Sequence, residues 1–144
     1  MKHSLLLLLF CLALCLTSVG CRSSRDRRSL EEFAARWRVL FNAHDIAGLS
    51  QLYAPHGAFT LPGMVYPVRS PSEMQSVLDT LWGSAPDMRI TAVHQLLAVD
   101  NRIAFVWELT RTPLMASAPS KVFGATFITL QEGVIREQLT VTSR

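Results

Sequence analysis

The sequence predicts an α+β domain, with helices gathered at the front and antiparallel strands behind. Three observations carry this. Apolar residues recur with the helical period between Ser29 and Trp82, the period falls to two after Pro86, and the pairs Asp100-Asn101 and Glu132-Gly133 separate neighbouring alternating runs. At 144 residues the chain is sized for a single domain.

The first twenty residues stand apart. Met1-Lys2-His3-Ser4 is a short basic start, Leu5 to Leu16 an unbroken apolar run and Ser18-Val19-Gly20 a small-residue exit, which reads as a secretory signal over residues 1–20. The run is shorter than the roughly 20 apolar residues a spanning helix needs. Leu16-Thr17-Ser18-Val19-Gly20-Cys21 resembles the lipobox of bacterial lipoproteins, which implies a diacylated Cys21 and a membrane-anchored protein of the cell envelope. Ser18-x-Gly20 also suits an ordinary signal peptidase, which would leave a secreted protein. Cys11 and Cys15 fall inside the signal and no cysteine follows Cys21, so the body has no internal disulfide, Cys-ligated zinc or cysteine nucleophile.

Residues 21–28 form a basic tether in which four arginines face one aspartate. From Ser29 onward nine basic residues face ten acidic ones, so the positive balance belongs to the tether and nucleic-acid binding loses its main support. Attraction of the tether to anionic lipid is the alternative to a merely solvated segment.

The domain proper is expected over residues 29–144. Ser29-Leu30-Glu31-Glu32 is a capping box, and Leu30, Phe33, Ala34, Trp37, Leu40 and Phe41 make one helical stripe that ends at Asn42-Ala43-His44. Asp45 caps a second helix carrying Ile46, Leu49, Leu52 and Tyr53, stopped by Pro55 and Gly57. A short strand is expected from Ala58 to Leu61. Ser70-Pro71-Ser72-Glu73 then opens a third helix with the stripe Met74, Val77, Leu78, Leu81 and Trp82. Strands are expected at 88–99, 102–111, 121–130 and 134–142, with one longer loop from Leu114 to Ser120.

This order resembles the nuclear transport factor 2-like superfamily, the cone-shaped domain of SnoaL-like polyketide cyclases and ketosteroid isomerases. The residues that carry the resemblance are Phe41-Asn42-Ala43-His44-Asp45-Ile46 with Leu49 and Leu52-Tyr53-Ala54, then Pro86 to Ile90, Trp107-x-Leu109-Thr110, Gly124-x-x-Phe127 and Gly133-Val134-Ile135-x-Glu137. It implies a strongly curved, mainly antiparallel sheet wrapped around about three N-terminal helices, with a hollow between them.

Inward side chains then decide function. Alternation places Ile103, Phe105, Trp107 and Leu109 inward on one strand, Gly124, Thr126, Ile128 and Leu130 on the next, and Ile135, Glu137, Leu139 and Val141 on the last. Glu108 then points outward with Ala104, Val106 and Thr110, a face available for a homodimer. In the resemblance to ketosteroid isomerases, Leu61 stands at the position of the catalytic carboxylate and Trp37 at that of the catalytic tyrosine, and neither residue can do that work.

Three readings follow. In the first, Trp37, Phe41, Tyr53, Phe59, Leu61, Trp107 and Thr126 line a cavity for a small apolar or aromatic molecule. In the second, a proton-transfer or hydration enzyme of isomerase, cyclase or dehydratase type uses Glu137 with His94 as acid-base groups. In the third, the outer sheet face makes the chain a homodimeric assembly module of the cell envelope. No histidine pair has helical metal-ligand spacing, and no phosphate loop or nucleophile elbow occurs, so no metal or cofactor is expected.

Overall fold

The computed structural model describes residues 27–61 and 64–143, so the expected signal, Cys21 and most of the tether lie outside the described residues. Helix α1 covers residues 27–42, α2 runs Ile46–Ser50 and α3 Pro71–Ser84. The strands are β1 (Tyr53–Thr60), β2 (Arg89–Val99), β3 (Arg102–Arg111), β4 (Ser120–Gln131) and β5 (Val134–Thr142). They form one sheet in the order β1-β5-β4-β3-β2. Only β1 with β5 is parallel. The α+β class and the helices packed on a curved, mainly antiparallel sheet are therefore as the sequence predicts.

Two element boundaries differ from the sequence reading. Ser29 lies inside α1 rather than at its cap, and the helix extends back at least to Arg27, where Arg27–Glu31 and Arg28–Glu32 pair across one turn. Strand β1 begins at Tyr53, five residues before the expected Ala58. The Ile135 amide donates to the Leu52 carbonyl and Tyr53 registers with Ile135, so sheet pairing captures a segment that Pro55 and Gly57 mark as a turn. A break in register between Tyr53 and Ala58 accommodates the proline, which has no amide to donate.

The stripe of α1 packs Leu30, Ala34, Trp37 and Phe41 against the concave face of the sheet. Its end is bolted to β2 by Asn42, whose side-chain nitrogen donates to the Ile90 carbonyl (2.9 Å) while its oxygen accepts from the Ile90 amide (2.7 Å). His44, where the first helical stripe ends, is half-buried. Its ring stacks on Trp82 at 4.5 Å and its Nε2 lies 3.0 Å from the Met88 carbonyl oxygen. Helix α3 starts as expected, with Ser70 accepting from the Glu73 amide and Pro71 in the first turn.

Bulges decide which side chains face inward. Each adds one unpaired residue, bends the strand and inverts the alternation beyond it. Strand β2 has two register shifts, between Ile90 and Ala92 and between Val93 and Gln95; β5 has one against β4, where Leu130 pairs with Ile135 but Thr129 pairs with Glu137. Arg136 is the extra residue. Beyond it Gln138 and Thr140 are buried while Glu137, Leu139 and Val141 are exposed, so the inward set expected for β5 is wrong after Ile135. Strands β3 and β4 pair without interruption from Arg102 to Arg111, and there the expected alternation holds.

Candidate functional site

Between the concave face and helices α1 and α3 lies a cavity of about 720 Å³. Trp37, Phe41, Tyr53, Leu61, Trp107 and Thr126 of the seven expected residues line it. Phe59 does not: it is completely buried behind the wall, edge-on to Tyr53 at 4.8 Å between ring centres. The rings of the wall brace one another. Trp37 stacks on Phe41 at 5.4 Å and meets Phe105 edge-on at 5.5 Å, and Phe41 meets Trp82 edge-on at 5.5 Å.

One run of polar groups crosses this apolar interior. Trp37 Nε1 donates to the Tyr53 hydroxyl (3.2 Å), which donates to Gln138 Oε1 (2.8 Å). Gln138 Nε2 donates to the Thr140 hydroxyl (3.2 Å), and Trp107 Nε1 donates to the Thr126 hydroxyl (2.9 Å). The two threonine oxygens are 3.2 Å apart. Buried polar groups that are all paired fix one geometry, because breaking any link strands a donor or acceptor away from water. Burial pushes the Tyr53 hydroxyl up to about 12 from its ordinary 10.0, against the opposing effects of its bonds with Trp37 and Gln138, so it stays protonated.

The threonine pair leaves one proton over. Each hydroxyl already accepts one hydrogen bond, from Gln138 or from Trp107, and only one of the two O–H groups is needed to join them. Whichever way that bond points, the other O–H remains to donate. Thr140 keeps some accessible surface at the cavity whereas Thr126 keeps none, so the network presents a neutral hydrogen-bond donor to whatever fills the cavity when Thr126 donates to Thr140.

Gly124 makes the arrangement possible. A Cβ there would collide with the Trp107 ring and come within 2.7 Å of the Val141 carbonyl oxygen. The bare backbone lets the indole lie across β4 and bring Nε1 to Thr126.

Neither expected acid-base residue reaches the cavity. Glu137 lies on the outer face, in a shallow groove of about 450 Å³ that it shares with Leu97, Arg102, Phe127 and Leu139. His94 occupies the second register shift of β2 and is exposed, 3.9 Å from Glu108 and beside Phe123 at 6.1 Å. Both miss for the same reason, a bulge that inverts the alternation between the strand start and the residue in question. The side chains of Glu137 and His94 do not meet, and Glu137 is not within the reach of Thr126 or Tyr53 that a shared site requires. Glu108 points outward as expected; Lys121 Nζ at 2.9 Å holds its carboxyl below the usual range, with the Thr91 hydroxyl 3.3 Å away.

Sequence reading missed Gln138 and Thr140, the centre of the polar run, and Arg111, which also lines the cavity. The register slip in β5 leaves no trace in residue type, because Leu139 and Val141 look more like core than Gln138 and Thr140 do. Arg111 was findable: it continues the alternation Ile103, Phe105, Trp107, Leu109 by one more step. Among the described residues that line the cavity there is no Asp, Glu, His or Lys. Among the described residues no three His, Cys, Asp or Glu gather as a metal site.

A family model described as the SnoaL-like domain matches residues 31–138, three quarters of the chain. The chain belongs to the SnoaL-like family. Its structure resembles that of a candidate polyketide cyclase from Xanthomonas campestris, with a TM-score of 0.72 at 14% identity over 80% of this chain and 90% of that one. A candidate polyketide cyclase from Acidithiobacillus ferrooxidans gives 0.69 at 20% identity over 81% and 89%. AclR, a candidate hydroxylase from Streptomyces galilaeus, gives 0.69 at 15% identity over 81% and 90%. At these identities the likeness concerns the fold alone. No curated protein matches the chain.

Proposed function

We propose that this SnoaL-like chain is an exported protein, lipid-anchored through Cys21, that binds one small, mainly apolar molecule in its cone. The observation that supports binding is the cavity itself: an aromatic wall, a neutral polar run with one donor to spare, and no carboxylate or imidazole among its described lining residues. Such a site gains from burying rings and from one hydrogen bond to an acceptor such as a carbonyl oxygen. It offers no side-chain base for proton abstraction. Export and lipidation rest on the apolar run at 5–16 and on Gly20-Cys21.

The test is titration of the purified protein with N-phenyl-1-naphthylamine, a neutral fluorophore that brightens in apolar surroundings. Saturable binding at one site per chain is expected, with a rise in melting temperature at saturating dye. Absence of saturation rejects the binding reading. Mass spectrometry of the mature amino terminus checks the anchor, since a diacylated Cys21 differs in mass from a free one.

A second reading, homodimer formation through the outer sheet face, has its own support. Leu97 pairs with Ala104, Ala104 with Phe127 and Phe127 with Leu139, a continuous apolar row across four strands. Val106, Ala125 and Val141 form the next row. Phe127 and Leu139 are each 48% exposed. Apolar side chains aligned over several strands mark an association surface. Sedimentation equilibrium should show a dimer that Phe127→Glu dissociates about thirtyfold more readily, as expected when a central aromatic contact is replaced by a charge.

A further inference from the structure

The described residues contain two buried side-chain nitrogens without a hydrogen-bond partner, Trp82 Nε1 and Arg111 Nε. They differ in position. The Trp82 ring is stacked on His44, meets Phe41 edge-on and does not line the cavity, whereas Arg111 does. Arg111 is the last residue of β3, on the concave side after Leu109, and among the described lining residues it carries the only permanent charge.

Among the described residues nothing neutralises it. No ion pair of the described residues includes Arg111. Asp87, on the loop just before β2, spends its Oδ1 on the Thr112 amide at 2.7 Å. The other polar side chains at the described wall, Ser84 on α3 and Thr142 on β5 among them, are neutral. A half-buried guanidinium with an unsatisfied Nε is costly unless an anion completes it, and its planar fork matches a carboxylate with two parallel hydrogen bonds.

We infer that the ligand of the cone is an apolar carboxylic acid, its hydrocarbon or aromatic body against Trp37, Phe41 and Trp107 and its carboxylate on Arg111. This rests on the binding reading above and adds the charge of the ligand to it. The guanidinium stands one strand position beyond the apolar wall, so body and headgroup are recognised by separate parts of β3.

A matched pair of fluorescent probes tests it: 1-pyrenebutyrate and its methyl ester, which share a body and differ in charge. The wild-type protein should bind the acid about tenfold more tightly than the ester at low salt, the scale of one charge-assisted interaction. Arg111→Gln should abolish that preference and leave ester affinity within about twofold, and Arg111→Lys should keep part of it because the charge remains. Equal affinity of wild type for acid and ester overturns the inference while leaving apolar binding intact. So does an Arg111→Gln variant that loses affinity for both probes equally, since Arg111 would then act through packing. Failure of both probes to bind the wild-type protein overturns the inference together with the binding reading beneath it.

Discussion

The two faces of β5 invert the usual distribution of side chains. Gln138 and Thr140 face inward and are 3% and 7% exposed, while their neighbours Leu139 and Val141 face outward and are nearly half exposed. A buried amide and hydroxyl are tolerated because each is hydrogen-bonded within the run from Trp37 to Trp107. The exposed apolar residues have no such compensation and align with Phe127 and Leu97 into rows. The difference shows that the inner face is built for polar precision inside an apolar cavity, and that the outer face is built as though it were to be covered.

The largest effect should come from breaking the inner face at Gly124. Any Cβ there overlaps the Trp107 ring, and relief by moving the main chain is blocked by the Val141 carbonyl oxygen. Gly124→Ala should cost about 2 to 3 kcal/mol, as overpacking of a tight core does, and lower the melting temperature by on the order of 10 °C. The indole would also withdraw from Thr126, so near-ultraviolet circular dichroism should lose tryptophan intensity. An unchanged melting temperature would mean that the cavity wall is loose, and that Trp107 is not held where its bond to Thr126 requires.

A smaller loss is expected from Tyr53→Phe, which removes no volume but strands the Trp37 donor and the Gln138 acceptor. Leaving two buried groups unpaired should cost about 1 to 2 kcal/mol, read as a shift in denaturant midpoint. The same residue gives a pH dependence with a definite sign. The folded Tyr53 hydroxyl ionises at about 12 and the unfolded one at 10.0, so its contribution is complete below pH 10 and is lost as pH rises through 12. Above pH 10 the unfolded chain holds fewer protons than the folded one, and the accumulated loss approaches about 2 to 3 kcal/mol. The stability advantage of wild type over Tyr53→Phe should therefore shrink across that interval and reverse sign toward its upper end. A difference that stays constant would show that the hydroxyl is not sealed from solvent.

Much of this comparison was legible in the sequence, and what was not has a specific cause. The helical stripe from Leu30 to Phe41 and the unbroken ladder of β3 with β4 follow from residue period alone, so Trp37, Phe41, Trp107 and Thr126 were placed on the inner face correctly. The resemblance to the SnoaL-like family carried the cone, which period alone does not contain. Strands β2 and β5 escaped because their bulges insert residues without a compositional mark: neither Arg136 nor the region of His94 contains a glycine or proline. The apolar outer face compounded the error, since alternation can find two faces but cannot say which is inside when the exposed one is more hydrophobic. Residue period carries no depth, so it does not separate Phe59, which lies behind Tyr53, from the rings of the wall itself.

The smallest expected effect is the most discriminating between the two faces. Glu137 lies directly before Gln138 in the chain, and its pairing with Thr129 beyond the bulge keeps its carboxylate outside. Glu137→Gln should change stability by no more than about 0.5 kcal/mol, the range of ordinary surface substitutions, and should leave dye affinity unaltered. Gln138→Leu, one residue on, should cost about 1 to 2 kcal/mol, because the Tyr53 hydroxyl loses its acceptor. Deleting Arg136 should remove the bulge without turning either side chain, because Glu137 still pairs with Thr129 and Gln138 with Ile128, so the shortened chain should keep Gln138 inward and Glu137 outward. Thermal unfolding and titration of the three variants side by side would read this out. If Glu137→Gln were as damaging as Gln138→Leu in the intact chain, residues 137 and 138 could not face opposite ways, and the register that separates the polar interior from the apolar exterior would have to be redrawn.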